Sequence, residues 1–290
     1  MTESPRVLLV TSAAHPDGEP GHAALDRALA ARGIDSQWVV WDDPYVDWSD
    51  ADLVAVRSTW DYDLRIKEFL GWASSVGAIL LHGADVFRWN TDKSYLVDLA
   101  TRSKLPLVPT VLADNPVKLR AAISRFGTSV VKPRIGCSGR GIVIVYDAET
   151  WLPVDKGPWV VQPLVESVFR EGEVSVIVIN GHPVAQVHKV AGSGDIRVNE
   201  EFGGTVSAVE LTSEAALLAV DAVAATTEIV ESEIVYARVD MLRHQGTLSV
   251  SEVEVTEPGL YLDVVPEAAE KYADAIARRL DLPELAVVQN

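Results

Sequence analysis

Between Val7 and Leu81 short apolar runs alternate with segments of helical period, and no other feature restricts the fold as strongly. Val7 to Val10 reads as a buried strand. His22 to Arg32 reads as a helix, with Ala24, Leu25, Ala28 and Leu29 on one face and Gly33 as its stop. Gln37 to Trp41 and Leu53 to Val56 read as strands. Ile66, Phe69, Leu70 and Ala73 mark a second amphipathic helix, and Ala78 to Leu81 a further strand. Strand and helix in turn predict a small α/β sheet.

The pattern then changes. A helix is expected from Asp92 to Arg102, with Thr91 as its N-cap, and Asn115-Pro116 opens another by the cap-then-proline rule. Strands follow at Ser129 to Lys132, Ile142 to Tyr146, Trp159 to Leu164, Val174 to Ile179 and Val184 to Val190. The last two are joined by a tight Asn180-Gly181 turn. A long helix from Ser213 to Glu231 precedes a hairpin of Val235 to Leu242 and Leu248 to Val255, and a helix from Glu267 to Leu280 closes the pattern. There is no internal repeat or Pro/Gly/Ser-rich linker, so the lobes should be packed together rather than tethered.

Hydrophobic residues make up 48% of the 290, enough for a real core. A net charge of −17 gives a surface that repels nucleic acid and an anionic membrane, since both need a basic face. Any anionic ligand must be met by locally clustered cations. The single cysteine, Cys137, excludes an intramolecular disulfide. The start, Met1-Thr2-Glu3-Ser4-Pro5, lacks a basic region, the apolar run after it is too short for a signal peptide, and no stretch is long enough to span a bilayer. A cytoplasmic protein is expected.

Four features could carry chemistry. In the first, Val131-Lys132-Pro133-Arg134-Ile135-Gly136-Cys137-Ser138-Gly139-Arg140-Gly141, a strand ends in lysine and a glycine-rich loop leads into the next strand. Glycines let backbone N–H groups approach an anion, and the cations add full charges. No glycine is followed by Lys-Ser or Lys-Thr, so this is not a P-loop, and no helix follows, so it is not a Rossmann turn. A plain hairpin connection is the competing explanation. Cys137 reads as a packing residue, since no histidine lies close in sequence.

The second feature is the hairpin carrying Arg238, Asp240, Glu252 and Glu254. Strand side chains alternate faces, so Arg238 and Asp240 share one, as do Glu252 and Glu254, and the turn at Gly246 brings Asp240 close to Glu252. Three clustered carboxylates repel, and a hard divalent cation resolves that repulsion with oxygen ligands. A solvated charged face competes. Third, Lys189 and Arg197 lie near Asn199, Gly203 and Gly204, which suits a polyanion or a developing negative charge. An exposed polar loop competes.

The fourth feature lies in the first lobe, where Arg57-Ser58-Thr59-Trp60-Asp61-Tyr62 and His15-Pro16-Asp17-Gly18 follow strands. Ligands of open α/β sheets bind beyond the carboxyl ends of strands. Arg57 could hold a substrate carboxylate, Trp60 and Tyr62 could wall a pocket, and Asp61 could grip an amine. Ordinary inter-lobe packing competes. The histidines lack metal-ligand spacing and read as surface or packing residues.

In this order the elements resemble the ATP-grasp superfamily of carboxylate–amine ligases over nearly the whole chain. Asp92-Lys93 resembles the first phosphate-contacting lysine and Lys132 the second. Gly136, Ser138, Gly139 and Gly141 belong to the stretch that resembles the flap over ATP. Gln162-Pro163-Leu164-Val165 resembles the hinge whose backbone meets adenine. Asp195 to Gly204 is similar to a stretch of glutathione synthetases and ribosomal-protein glutamate ligases. Asp240, Glu252 and Glu254 fall where the magnesium ligands fall, Glu254 standing where many relatives have asparagine. Glu173 and Glu166 are both open as the ribose-binding acid. Arg57 to Tyr62, with Trp89 to Lys93, resembles a narrower branch, that of the O-ureido-serine cyclo-ligase of cycloserine biosynthesis.

The resemblance implies an α/β (α+β) ATP-grasp fold: a pre-grasp substrate lobe over 1–90, a small subdomain with the flap over 91–163, and a C-terminal subdomain with the metal site over 164–290. It implies ATP and Mg²⁺ as cofactors, with Mn²⁺ as the alternative. It also implies a small carboxylate or amine substrate on Arg57, Ser58, Thr59, Trp60, Asp61, Asn199 and Gly204, with Lys189, Arg197 and Arg238 as catalytic cations. A homo-oligomer is compatible with it. A substrate carboxylate would attack the γ-phosphoryl group, and a nitrogen would then displace phosphate from the acyl phosphate. Three readings stay open: an intramolecular cyclo-ligase, an intermolecular amino-acid or peptide ligase, and a non-catalytic nucleotide-binding module.

Overall fold

A computed structural model describes residues 4–151, 153 and 156–282. Met1 to Glu3, which enter the reading of the N-terminus above, lie outside the described residues. Strands β1 (Arg6–Thr11), β2 (Asp35–Val40) and β3 (Leu53–Ser58) form a parallel sheet in the order β2-β1-β3. Both faces of β1 are covered, as its apolar run requires. Val7 and Leu9 meet Leu25 and Leu29 of helix α1 (His22–Ala31), whereas Leu8 and Val10 meet Phe69 and Ala73 of α2 (Ile66–Val76).

The next segment departs from expectation. Ala78 to Leu81 is not a strand: a 3₁₀ turn occupies Gly77–Ile79, and only Leu80 bridges to Val54. Helix α3 (Gly83–Asn90) follows, unforeseen, and the helix expected from Asp92 starts later, as α4 (Tyr95–Arg102). Thr91 does not cap α4. Its hydroxyl donates back to the Phe87 carbonyl at the end of α3 (2.8 Å). Asp92 is drawn instead into a backbone bridge with Ile135, and the Lys93 N–H donates to the Arg134 carbonyl (2.8 Å). These bonds tie the joint between the two helices to the glycine-rich loop.

An antiparallel sheet of order β4-β7-β5-β6 follows, built from β4 (Val111–Ala113), β5 (Ser129–Pro133), β6 (Val143–Val145) and β7 (Trp159–Pro163). Helix α5 (Pro116–Phe126) packs on it, and Asn115 caps that helix by accepting from the Lys118 N–H (3.0 Å). A larger antiparallel sheet has the order β10-β9-β8-β11-β12. Its strands are β8 (Glu173–Ile179), β9 (His182–Val190), β10 (Thr205–Val209), β11 (Tyr236–His244) and β12 (Thr247–Glu254).

One face of this sheet is apolar throughout: Val176, Val178, Ala237, Val239 and Val253 meet helix α6 (Ser213–Val230) and α4. The other face is divided. Ile177, Ile179 and Tyr236 join the core of α1 and α7 (Glu267–Arg279). Farther along the same face come Glu173, Ser175, Arg238, Asp240, Glu252 and Glu254, where no helix covers them, and this charged half is the floor of a cavity. No helix of the described residues is long and apolar enough to cross a membrane.

Candidate active site

The cavity, of about 360 Å³, lies between the two antiparallel sheets and is closed at one end by the first lobe. Its floor follows from strand register: Asp240 stands opposite Glu252, and Arg238 opposite Glu254. Glu252 is held by two lysines, Lys93 Nζ at 2.9 Å and Lys132 Nζ at 2.8 Å, which come from the joint between α3 and α4 and from β5. Burial opposes the Glu252 charge, but Lys132 and Lys93 hold its carboxyl well below the usual carboxylate range. Burial likewise works against the Lys93 ammonium, and Glu252 outweighs it, raising the group to about 12.

Asp240 accepts from Arg238 Nε and Nη2, both at 2.9 Å, and from the Ser175 hydroxyl at 2.6 Å, with Lys189 Nζ at 3.2 Å. Burial opposes its charge as well, and Arg238 and Lys189 keep it ionised to low pH. Lys189 also pairs with Glu173. Glu254 accepts from Arg238 Nη2 at 2.5 Å, yet burial pushes its carboxyl up to about 7, with Asp240 and Glu252 adding repulsion that Arg238 only partly offsets.

Acids and bases on the floor are therefore paired, and among the described residues no group of three or more His, Cys, Asp or Glu side chains is gathered as a ready metal cage. The donor set still suits a hard divalent ion, because Asp240, Glu252 and Glu254 offer only oxygens on one face. Loading of a metal there would require an exchange of partners. Lysines and arginine would turn to phosphate oxygens while the released carboxylates took the metal, and neither sign of charge would be left uncompensated.

Other expected residues divide. Gly136, Ser138 and Gly139 line the cavity, but Gly141 stands behind it against the Pro133 ring. Gly139 has φ +69 and approaches Asn199 and Arg197 so closely that a Cβ would lie 3.1 Å from Asn199 Oδ1. Arg197 and Asn199 face the cavity. Arg197 is held by Asp195 (2.6 Å) and stacks on Phe202. Gly204 does not reach the cavity: its N–H donates to the Asn199 carbonyl, and a Cβ there would overlap the Val198 carbonyl. Gln162 and Val165 line one end with Val108, Val130, Val168 and Leu242, an apolar slot that the sequence reading did not single out. Of the two ribose candidates, Glu173 faces the cavity, whereas Glu166 is exposed and pairs with Arg170.

The first lobe needs the largest correction. Arg57 is 0% exposed and faces no cavity. Its Nε donates to Glu19 (2.9 Å), its Nη2 to the Pro258 carbonyl (3.0 Å), and its guanidinium lies between the Tyr236 and Tyr272 rings. Ser58 is hydrogen-bonded to Thr11, Thr59 is buried, and Asp61 accepts from the Trp41 indole. Within Arg57 to Asp61 only Trp60 lines the cavity. Tyr62 and Glu19 join it there, and His15, expected at the surface or in packing, lies edge-on to the Trp60 ring at 4.9 Å.

The glycine-rich loop is clasped to this lobe. Arg140 Nη2 donates to the Trp60 carbonyl (2.7 Å), Arg140 Nε to Asp63 (3.1 Å), and the Cys137 N–H to Asp63 (3.4 Å). Asp63 carries no motif and was not foreseen. Without its clasp a glycine-rich loop retains little local stability. Arg140→Ala is expected to speed amide hydrogen exchange of residues 134–141 by about tenfold without nucleotide, and to raise the KM for ATP severalfold. Unchanged exchange there would show that the clasp does not hold the loop.

A phosphate-sized cluster of cations beside an apolar slot, under a glycine-rich loop and over a floor of carboxylates, defines a nucleotide-dependent ligase site of the ATP-grasp kind. The RimK-like ATP-grasp domain matches residues 90–266, and the chain belongs to that family, whose ligases form carbon–nitrogen bonds with release of ADP and use ATP with a divalent metal. The N-terminal domain of D-cycloserine synthetase DcsG matches residues 7–82. The cycloserine biosynthesis protein DcsG of Streptomyces lavendulae is 30% identical over 94% of this chain and 98% of its own length. Glutathione synthetase of Mesorhizobium japonicum is 31% identical, but over 57% of this chain and 55% of its own. The crystal structure of D-cycloserine synthetase DcsG matches with a TM-score of 0.85 at 28% identity, over 95% of this chain and 99% of that one.

Proposed function

We propose that this ligase is an intramolecular cyclo-ligase that activates the carboxylate of an amino-acid derivative of the O-ureido-serine type and closes a ring onto a nitrogen of the same molecule. One observation carries the reading. The lobe that matches the DcsG N-terminal domain also supplies the cavity wall of His15, Glu19, Trp60 and Tyr62.

The chain's own groups divide the work. Val108, Val130, Val168 and Leu242 would hold the adenine, with Gln162 and Val165 at its edge and Glu173 at the ribose. Lys93, Lys132 and the loop N–H groups of Gly136 to Gly139 would hold phosphates. Mg²⁺, or Mn²⁺, on Asp240, Glu252 and Glu254 would neutralise phosphate charge. Arg238, Lys189 and Arg197 would draw the substrate carboxylate to the γ-phosphoryl group and stabilise charge as that group transfers. The carboxylate oxygen forms an O–P bond while the bond to ADP breaks. The nitrogen lone pair then forms the C–N bond. Phosphate leaves with the C–O electron pair and takes up the proton that the nitrogen sheds. The loop clasped by Asp63 and Arg140 keeps water from the acyl phosphate.

The test is to supply ATP, Mg²⁺ and O-ureido-serine of either hand as the sole organic substrate. ADP, phosphate and a product lighter by one water are expected together. Release of phosphate only when a second amine is added would overturn ring closure in favour of intermolecular ligation.

A further inference from the structure

We infer that Glu257 receives the attacking nitrogen of the substrate, accepting its N–H bonds and turning its lone pair toward the activated carbonyl. The inference rests on the ligase reading above and assigns the nucleophile end of that site. Glu173, Asp240, Glu252 and Glu254 each hold a cation, but Glu257 makes no ion pair, and among the described cavity-lining residues it is the buried acid of which this is true. It is 6% exposed, and its carboxyl accepts from the Cys137 thiol at 3.7 Å, a long and weak contact.

The backbone that presents this carboxyl is fixed from several sides. The Trp60 indole donates to the Glu257 carbonyl (3.0 Å), Arg57 to the Pro258 carbonyl (3.0 Å) and Arg238 to the Gly259 carbonyl (3.3 Å), while the Leu260 N–H donates to Glu19 (3.0 Å). A carboxyl held this firmly and left without strong donors costs stability, and a ligand rich in N–H groups offsets that cost. Burial, with Glu254 nearby, pushes the group up to about 8, as expected of an acid awaiting a partner. Chemistry decides which end of the substrate it meets. The carboxylate to be activated would be drawn to the fixed positive charges of Arg238 and Lys189. An amine or ureido nitrogen offers the donors that Glu257 lacks. Cys137 of the loop touches Glu257, and Lys93 acts on it electrostatically, so the nitrogen would stand beside the groups that handle phosphate.

The two half-reactions separate the roles. Hydroxylamine traps an acyl phosphate as a hydroxamate without help from a nucleophile pocket, so it reports activation alone. With ATP, Mg²⁺ and O-ureido-serine, Glu257→Gln is expected to lower ring closure by about thirtyfold or more while hydroxamate formation falls by less than about threefold. Glu257→Asp, which keeps the carboxyl on a shorter arm, should recover part of the ring closure that glutamine loses. Equal losses in both half-reactions, no loss in either, or no difference between the aspartate and glutamine variants would overturn the role of Glu257. Hydroxamate without ring closure in the unaltered protein would instead bring down the cyclo-ligase reading alone.

Discussion

Glu252→Gln is expected to lower turnover by about a thousandfold or more at saturating magnesium, and at the same time to tighten the binding of ATP in the absence of metal. The second effect follows from the pairing on the cavity floor. Lys93 and Lys132 both spend their charge on Glu252 before nucleotide arrives, at 2.9 and 2.8 Å. Glutamine keeps the shape but frees two mostly buried ammonium groups, which favours an incoming polyphosphate and disfavours the empty protein. Asp240→Asn should abolish turnover in the same way, because Arg238 and Lys189 lose their shared counter-charge. The empty variants should melt earlier than the parent and recover on adding ATP. Metal-free ATP affinity by calorimetry, beside ADP release with magnesium, measures both effects. Turnover within about tenfold of the parent in both variants would remove the metal assignment from this floor.

That floor was legible because strand geometry is local. Period-two alternation puts residues 238 and 240 on one face of their strand and 252 and 254 on one face of theirs, and the Gln245-Gly246 turn, with both residues at positive φ, brings the two pairs opposite each other on a single face of the sheet. The cap of α4 was not legible in the same way. Thr91 is a favoured N-cap residue type, and its bond back to Phe87 depends on α3, a helix of only 8 residues that the sequence did not announce. The apolar slot was hidden for a different reason. Val108, Val168 and Leu242 look like core, and only the folded chain shows that the face they share is a cavity. Glu19 lies in a loop and Asp63 in a single 3₁₀ turn, neither with period or motif, and their importance comes from partners 38 and 77 residues away. Arg57 was misread because a cation at the end of a buried strand can turn to a ligand or to an acid. The acid that decides the matter has no local signal.

Arg57→Ala is accordingly expected to act on stability and not on substrate recognition. The side chain is fully buried, forks onto Glu19, reaches the Pro258 carbonyl and lies between Tyr236 and Tyr272. It thus joins the first lobe to β11, to α7 and to the segment after β12. Removing it leaves the Glu19 carboxylate, 1% exposed, without its counter-charge, a change that costs about 3–5 kcal/mol when one partner of a buried pair is lost. Arg57→Lys should recover little, since an ammonium cannot present two parallel donors to Glu19 or stack as a plane between two rings. Arg57→Met combined with Glu19→Gln should be more stable than Arg57→Met alone, because no unpaired charge remains. Urea unfolding of these variants gives the coupling directly. Where the folded fraction survives, the KM for substrate should stay close to that of the parent. A variant of parental stability whose substrate KM rises steeply would return Arg57 to the substrate and show that the Glu19 pair yields on binding.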